Sequence, residues 1–306
     1  MNDVLLPDPA VHVAGAQEIA PDLLVIPDRG IPLVPNIGIV GGTEAVLVVD
    51  TGMGTGNAEQ VLALASEVAE GRRLYLTTTH FHPEHAFGAH VFEGHATYLA
   101  NRAQAEDLAV KGAGYLEMFR GLGAPVADRL DTRVRVPVPD VVHDGAYDLD
   151  LGGRTVRLRP TGRGHTKGDQ VIEVSDAGVL FTGDLAESGQ FAIFPWFPPH
   201  DTDVSGTGWL AVMEGLSADG HRMVVPGHGA VGGPEILADI RDYLCELRDE
   251  TWRRRDSAMG ESEIVAEVRA LLIERHPDWA GQEWIDTGVG CLCTEHPTVA
   301  DQAPTG

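Results

Sequence analysis

The sequence predicts a layered α/β protein. Three observations carry this. Short apolar runs of strand composition alternate with segments of helical period, glycine-containing turns separate the runs, and a histidine cluster follows one run directly. With 306 residues, 43% of them hydrophobic, the chain can bury a large core.

The elements follow in order. The first 21 residues hold Pro7, Pro9 and Pro21 and read as an irregular lead-in. Leu23–Ile26 is a strand, and Asn36–Val40 and Ala45–Val49 are two more, split by the turn Gly41-Gly42-Thr43. Asn57–Glu70 carries Val61, Leu62, Leu64, Ala65 and Val68 at helical spacing. Leu74–Thr77 is a short β run that leads into the histidines. Asn101–Leu122 reads as a helix, and Val134–Val142 and Thr155–Leu158 as strands. Val171–Val174 and Val179–Phe181 form a pair joined by Asp176, Ala177 and Gly178. Trp209–Leu216 is a helix, Met223–Val225 a strand, and Glu235–Arg255 and Glu261–Glu274 are helices. A boundary falls near Ser257-Ala258-Met259-Gly260, dividing a domain of residues 1–256 from a C-terminal helical extension of residues 257–306 packed on it.

Charge narrows the function. The balance is 22 Lys+Arg against 46 Asp+Glu, a net of −24. Such a surface repels nucleic acid and anionic membranes and suits a small-molecule substrate. The Arg253-Arg254-Arg255 triplet reads as a solvated helix face. No run approaches the roughly 18 apolar residues of a membrane span. Met1–Ala10 lacks the basic and apolar regions of a secretory signal. Cys245, Cys291 and Cys293 make no disulfide framework, and Cys291-x-Cys293 lacks the second pair a zinc motif needs. A cytoplasmic setting is the expectation.

The strongest chemical signal is His80-Phe81-His82-Pro83-Glu84-His85, on a loop at a strand end. Three imidazoles and a carboxylate so close together suit Zn²⁺, Fe or Mn²⁺. Alternation points His80 and His82 one way and leaves Glu84 or His85 for a neighbouring position. Three further residues stand where glycine-flanked loops leave core strands: His165, Asp184 in Thr182-Gly183-Asp184, and His228 in Pro226-Gly227-His228-Gly229.

These blocks, together with Asp50-Thr51-Gly52, resemble the metallo-β-lactamase superfamily from about Leu23 to Tyr243. The resemblance implies an αββα sandwich, two mixed β-sheets flanked by helices, with metal in a cleft at one edge. It implies that His80, His82 and His165 ligate a first metal and His85 and His228 a second, with Asp184 bridging. It also implies that Asp50 supports a ligating histidine. Glu84 departs from the pattern, which has Asp there; it could ligate from farther out, act as a general base, or stand behind the ligands. The implied cofactor is one or two Zn²⁺ ions, with Fe or Mn as alternatives. The implied reaction is attack of a metal-bound hydroxide on an ester, thioester, lactone or lactam carbonyl, with Glu84 and Asp184 as the catalytic carboxylates. Competing readings are a mononuclear non-haem iron oxygenase acting on a sulfur compound and a non-catalytic metal-binding module.

Residues beside these motifs carry open alternatives. His90 and His95 are read as non-ligands. Asp169 either orients a ligand imidazole or closes a turn. Lys167 either receives a substrate carboxylate or faces solvent. Glu187–Asp203, with Phe191, Phe194, Trp196 and Phe197, is either an apolar wall over the metals, a core plug, or a contact that would make a homodimer.

Overall fold

The computed structural model describes residues 6–297. Residues 1–5, part of the stretch read as lacking a secretory signal, and residues 298–306 of the C-terminal extension lie outside the described residues. The strands are β1 (Gln17–Ala20), β2 (Leu23–Ile26), β3 (Ile37–Gly41), β4 (Ala45–Val49), β5 (Arg73–Thr77), β6 (Ala96–Asn101), β7 (Val141–His143), β8 (Tyr147–Asp150), β9 (Thr155–Pro160), β10 (Gln170–Val174), β11 (Val179–Gly183) and β12 (Met223–Pro226). The helices are α1 (Thr55–Ala69), α2 (Pro83–Ala86), α3 (Arg102–Arg120), α4 (Ala124–Arg129), α5 (Gly206–Ala218), α6 (Glu235–Asp256), α7 (Glu261–Arg275) and α8 (Trp284–Glu295).

Two mixed sheets result. One has seven strands in the order β1 to β7; the other has five in the order β12-β11-β10-β9-β8. In the first, β1–β4 pair antiparallel and β4–β7 parallel. In the second only β11 and β12 are parallel.

The period of two within β4 shows how the layers form. Ala45, Leu47 and Val49 point into the core between the sheets, where they meet Leu158, Ile172 and Phe181 of the second sheet. Val46 and Val48 point the other way, onto Ala58, Val61 and Ala65 of α1. On the second sheet Val179 and Phe181 face inward, while Leu180 faces Trp209, Met213 and Ile240 of the opposite helical layer. All five strand residues of β4 are buried, as expected where a strand is covered on both faces. The αββα sandwich is therefore the observed architecture. Ile264, Val268, Leu272, Ile285 and Val289 from α7 and α8 share one apolar cluster with α5 and α6.

Two expectations are corrected. The lead-in is not wholly irregular, because Gln17–Ala20 adds an edge strand to β2. The predicted strand Val134–Val142 shrinks to β7 at its end. Val134 and Val136 instead pack in the cluster around Phe81 and Leu108, and Val136 abuts Gly112 of α3. Pro137 and Pro139 remove two ladder donors from that segment.

Parallel strands bring their C-terminal ends to one edge. Asp50 follows β4, the histidine run follows β5, Asp184 follows β11, and His228 follows β12. This edge is where open α/β sheets commonly place ligands.

Candidate metal centre

Seven ligand-type side chains converge at that edge, none more than 7% exposed. Three nitrogens form one group. His82 Nδ1 lies 3.0 Å from His80 Nε2 and 3.0 Å from His165 Nε2. Glu84, His85, Asp184 and His228 form a second group whose ligand atoms lie within 4.8 Å of one another. Asp184 stands between them. Its Oδ2 faces the first group, 3.9 Å from His80 Nε2 and 3.7 Å from His165 Nε2. Its Oδ1 faces the second, 3.2 Å from His85 Nε2 and 3.6 Å from His228 Nε2.

Local backbone features hold this geometry. Thr78, just before the histidines, is pinned through its carbonyl by Gln104 Nε2 at 3.1 Å and Gln170 Nε2 at 2.8 Å. Asp184 follows Gly183, whose φ of +53° is left-handed and whose missing side chain leaves room for Thr79. A Cβ on Gly227 would collide with the Asp184 carboxylate, so the Pro226-Gly227-His228 block needs glycine there. Asp50 also sits at positive φ, +66°, and aims its carboxylate back at the histidine loop.

Most imidazoles are oriented by a bond to the nitrogen that faces away from the centre. His85 Nδ1 donates to Asp50 Oδ2 at 2.9 Å, His165 Nδ1 to the Ile193 carbonyl at 2.8 Å, and His228 Nδ1 to the Val34 carbonyl at 3.0 Å. His80 Nδ1 lies 3.2 Å from Thr79 Oγ1. In a neutral ring such a bond fixes the tautomer and leaves the other nitrogen as a lone pair. His82 is different: its outer nitrogen, Nε2, is buried without a hydrogen bond.

The electrostatics separate the two groups. Burial holds His80 and His82 well below the ordinary imidazole range and His165 at about 4, so these three are neutral near pH 7. Burial would lower His85 too, but the carboxylates of Asp184 and Asp50 hold it well above its ordinary value. Burial pushes Asp184 up, yet His85 and His228 together pull it well below the usual carboxylate range. Burial raises Glu84.

The residues fit a metal. Three neutral imidazoles with nitrogens 3.0 Å apart cannot satisfy one another by hydrogen bonds, because His82 Nδ1 has at most one proton for two neighbours. Their spacing is close to the roughly 3.3 Å between nitrogens bound tetrahedrally at about 2.0–2.1 Å. Both Asp184 oxygens, His85 Nε2 and Glu84 Oε2 are buried without a hydrogen bond. Orphaned polar atoms are costly in a protein interior, and a cation shared by these donors removes that cost.

The neighbouring motifs divide. His90 bonds the Phe87 carbonyl and Thr55, and His95 is exposed; neither joins the centre. Asp169 accepts from Thr166 N and does not reach the His165 ring, so it closes the turn. Lys167 is exposed and pairs with Glu106 at 3.0 Å. Phe191 and Phe194 are fully buried in the cluster around Trp209 and plug the core, not the cleft. Cys291 and Cys293 are free thiols buried in α8.

Sequence reasoning missed Glu187 and a trio that faces His82. Glu187 Oε1 accepts from Ile193 N at 3.2 Å, fixing the residue whose carbonyl holds His165. Burial and then Asp184 raise Glu187 well above the usual carboxylate range. The trio is Lys111, Tyr115 and Asp201, with Tyr115 stacked on His82. A signal was present in α3: Asp107 and Lys111 stand two turns and one turn before Tyr115, placing charges beside the buried stripe.

Known proteins match this arrangement. The family model described as "Metallo-beta-lactamase superfamily" matches residues 30–228. The acyl-coenzyme A thioesterase MBLAC2 of Homo sapiens is 29% identical over 220 residues, covering 66% of this chain and 75% of its own length. A linear primary-alkylsulfatase of a Pseudomonas species is 22% identical over 267 residues, covering 76% of this chain and 49% of its own. Among solved structures, a metallo-β-lactamase from Pontibacter korlensis has a TM-score of 0.59 at 18% identity, over 75% of this chain and 98% of its own. The sec-alkylsulfatase Pisa1 from Pseudomonas sp. has a TM-score of 0.69 at 17% identity, over 94% of this chain and 51% of its own. The sandwich, the histidine run on the β5 loop and a family match across most of the chain agree: the chain belongs to the metallo-β-lactamase superfamily.

Proposed function

We propose that this protein is a metal-dependent hydrolase that cleaves an ester-type carbonyl bond of a small molecule, with His80, His82 and His165 holding one Zn²⁺ ion and Glu84, His85 and His228 a second. One observation carries the reading: Asp184 turns one carboxylate oxygen to each group of nitrogens. A carboxylate so placed would help hold a cation in either group and would position the attacking water. Bound there, zinc supplies Lewis acidity and brings the pKa of a coordinated water to about 7.

The chain's own groups do the rest. Asp184 fixes where the nucleophile sits. Glu84 supplies a buried carboxylate within reach of His85 and His228 to accept its proton. The near-complete burial of the centre excludes bulk water and strengthens each electrostatic interaction. The net charge of −24 supports a small substrate over a nucleic acid. Among carbonyl substrates the thioester comes first, supported by the human thioesterase relative. Three free cysteines support a reducing compartment such as the cytoplasm, and no described helix is long and apolar enough to cross a membrane.

The test is a panel of acyl thioesters, aryl esters, lactones, β-lactams and alkyl sulfates, assayed without oxygen on protein of measured metal content. Turnover of a carbonyl substrate that EDTA abolishes and Zn²⁺ restores is the expected outcome. Activity that needs iron and O₂ would replace the hydrolase with the iron oxygenase. Turnover of the sulfate ester alone would replace the carbonyl substrate with an alkyl sulfate.

A further inference from the structure

His82 is the exception among the five imidazoles of the centre. The other four have a polar partner on the outward nitrogen; His82 Nε2 has none, though it is buried. A ring without such a bond is free to rotate about its χ angles unless packing stops it. Tyr115 of α3 provides the packing: the two rings lie 5.1 Å apart at 23°, a stacked arrangement. Phe81 closes another side at 4.7 Å and 56°.

Tyr115 is itself locked. Its hydroxyl donates to Asp201 Oδ2 at 2.7 Å. Asp201 also accepts from Lys111 Nζ at 2.9 and 3.0 Å and from Asp203 N at 3.0 Å. Lys111 completes the set with Asp203 at 2.7 Å and Asp107 at 3.5 Å. Two residues ahead of His165, Arg163 donates to the carbonyls of Thr202, Asp203 and Val204. The strap of residues 201–204 thus joins the helix that stacks on His82 to the turn that carries His165. Three buried or half-buried carboxylates around one lysine are more than core packing requires.

We propose that Tyr115, locked by Asp201, is the positioning residue for His82, replacing with ring stacking the hydrogen bond that orients the other ligand histidines. The proposal rests on the reading of His82 as a metal ligand. It assigns to the 201–204 strap a role in metal affinity at the first group, which no motif of the sequence announces. The ring of Tyr115 should matter more than its hydroxyl, because the ring touches His82 and the hydroxyl acts through Asp201.

The experiment is metal titration of the full chain, stripped with chelator and reloaded with Zn²⁺, together with the visible absorption of the Co²⁺-loaded protein, which reports ligand geometry directly. His82→Ala tests the underlying reading; if it binds the first metal ion as wild type does, the ligand assignment fails, and the proposal with it. Given that His82→Ala loses that ion, Tyr115→Leu is expected to weaken it about 10- to 100-fold, the range seen when groups that orient metal ligands are removed. Its Co²⁺ spectrum should also shift. Tyr115→Phe keeps the stack and should recover most of the loss, to within about threefold to tenfold of wild type, and Asp201→Asn should match it. Wild-type affinity and an unshifted spectrum in Tyr115→Leu would overturn the proposal while leaving the metal centre intact. Should Tyr115→Leu fail to fold, Tyr115→Phe and Asp201→Asn decide: a loss of threefold or more in both supports the lock, and no change in both overturns it.

Discussion

His165 and His82 lean on the connection that follows β11: one gives its outer nitrogen to the Ile193 carbonyl, the other lies under a tyrosine held by Asp201. His85 and His228 lean on the N-terminal half of the chain, through Asp50 at the end of β4 and the Val34 carbonyl. The supports differ in charge as well as in origin. The first group is neutral, because burial keeps protons off three imidazoles. The second has His85 between two carboxylates, which favour the proton. A cation entering the first group displaces no proton from His165; one entering the second competes with the proton on His85. The two halves share Asp184 but respond to different variables.

Asp184→Ala should have the largest effect, because it removes the one side chain both halves use. Metal content is expected to fall at both groups and turnover by about 10³-fold or more, since metal-held charge stabilisation is worth several kcal/mol and each 1.36 kcal/mol is tenfold in rate. Elemental analysis alongside a thioester assay checks it; one group left fully loaded would break the claim that the carboxylate serves both.

Asp50→Ala should split the halves. His85 loses its acceptor, so affinity at the second group is expected to drop about 10- to 100-fold with the first little changed. Stepwise calorimetric titration separates the two events, and a loss at the first group instead would reverse the assignment of supports.

Acid offers a third route. In loaded protein the second ion should leave first as pH is lowered, because His85 regains its proton at higher pH than His165, whose folded value is about 4. In metal-free protein His165 has a folded value below its unfolded 6.5, so its contribution to stability is full above 6.5 and declines as pH falls toward about 4. His85 runs the other way: its contribution is full below 6.5 and is lost as pH rises through its elevated folded value. Melting curves of chelated protein should therefore be depressed at acid pH. In Asp50→Asn, which weakens the support for His85⁺, stability should be lost chiefly at low pH, where that proton is bound. A midpoint that ignores pH below 6.5 would show that His165 does not sense the proton as described, and one that ignores pH above 6.5 would show the same of His85.

Glu84 should give the smallest effect. Fixing a long carboxylate stem costs up to roughly 1.5–2 kcal/mol of side-chain entropy, and about 1.4 kcal/mol is tenfold in affinity. Glu84→Asp should change second-group affinity by about tenfold or less, with Glu84→Ala losing more in both affinity and rate. If neither substitution alters either quantity, Glu84 takes no part, and the second group reduces to His85, His228 and Asp184.

What could be read from the sequence tracks what is local. His80, His82, Glu84 and His85 lie within six positions, and glycines flank His165, Asp184 and His228, so the ligand-type set showed itself by spacing. The layered α/β class was visible in the continuous apolar run of β4 and the helical period of α1, while the sandwich was what the family resemblance implied. Val134, Val136 and Val138 alternate as a strand would, yet Val134 and Val136 lie along α3 in place of pairing in a sheet and Val138 is exposed. Helix α8 went unread within the C-terminal extension, where Gly288 and Gly290 lower its helix propensity. The supports of the imidazoles were least legible. Tyr115 and Asp201 are 86 residues apart, Val34 and His228 are 194 apart, and two of the acceptors are main-chain carbonyls that no residue type announces.

The seven convergent side chains are carried by four separate loops of both sheets, from His80 to His228, and none is more than 7% exposed. An unfolded chain keeps only the His80–His85 run together, so the full ligand set exists only in the finished fold and a cation held by all of it is a guest of that fold. Its grip should therefore show up as a melting temperature that climbs with free zinc concentration. It should also show up in time: the ion can leave only as fast as the edge of the sandwich opens, so chelators of very different strength should strip it at one common rate.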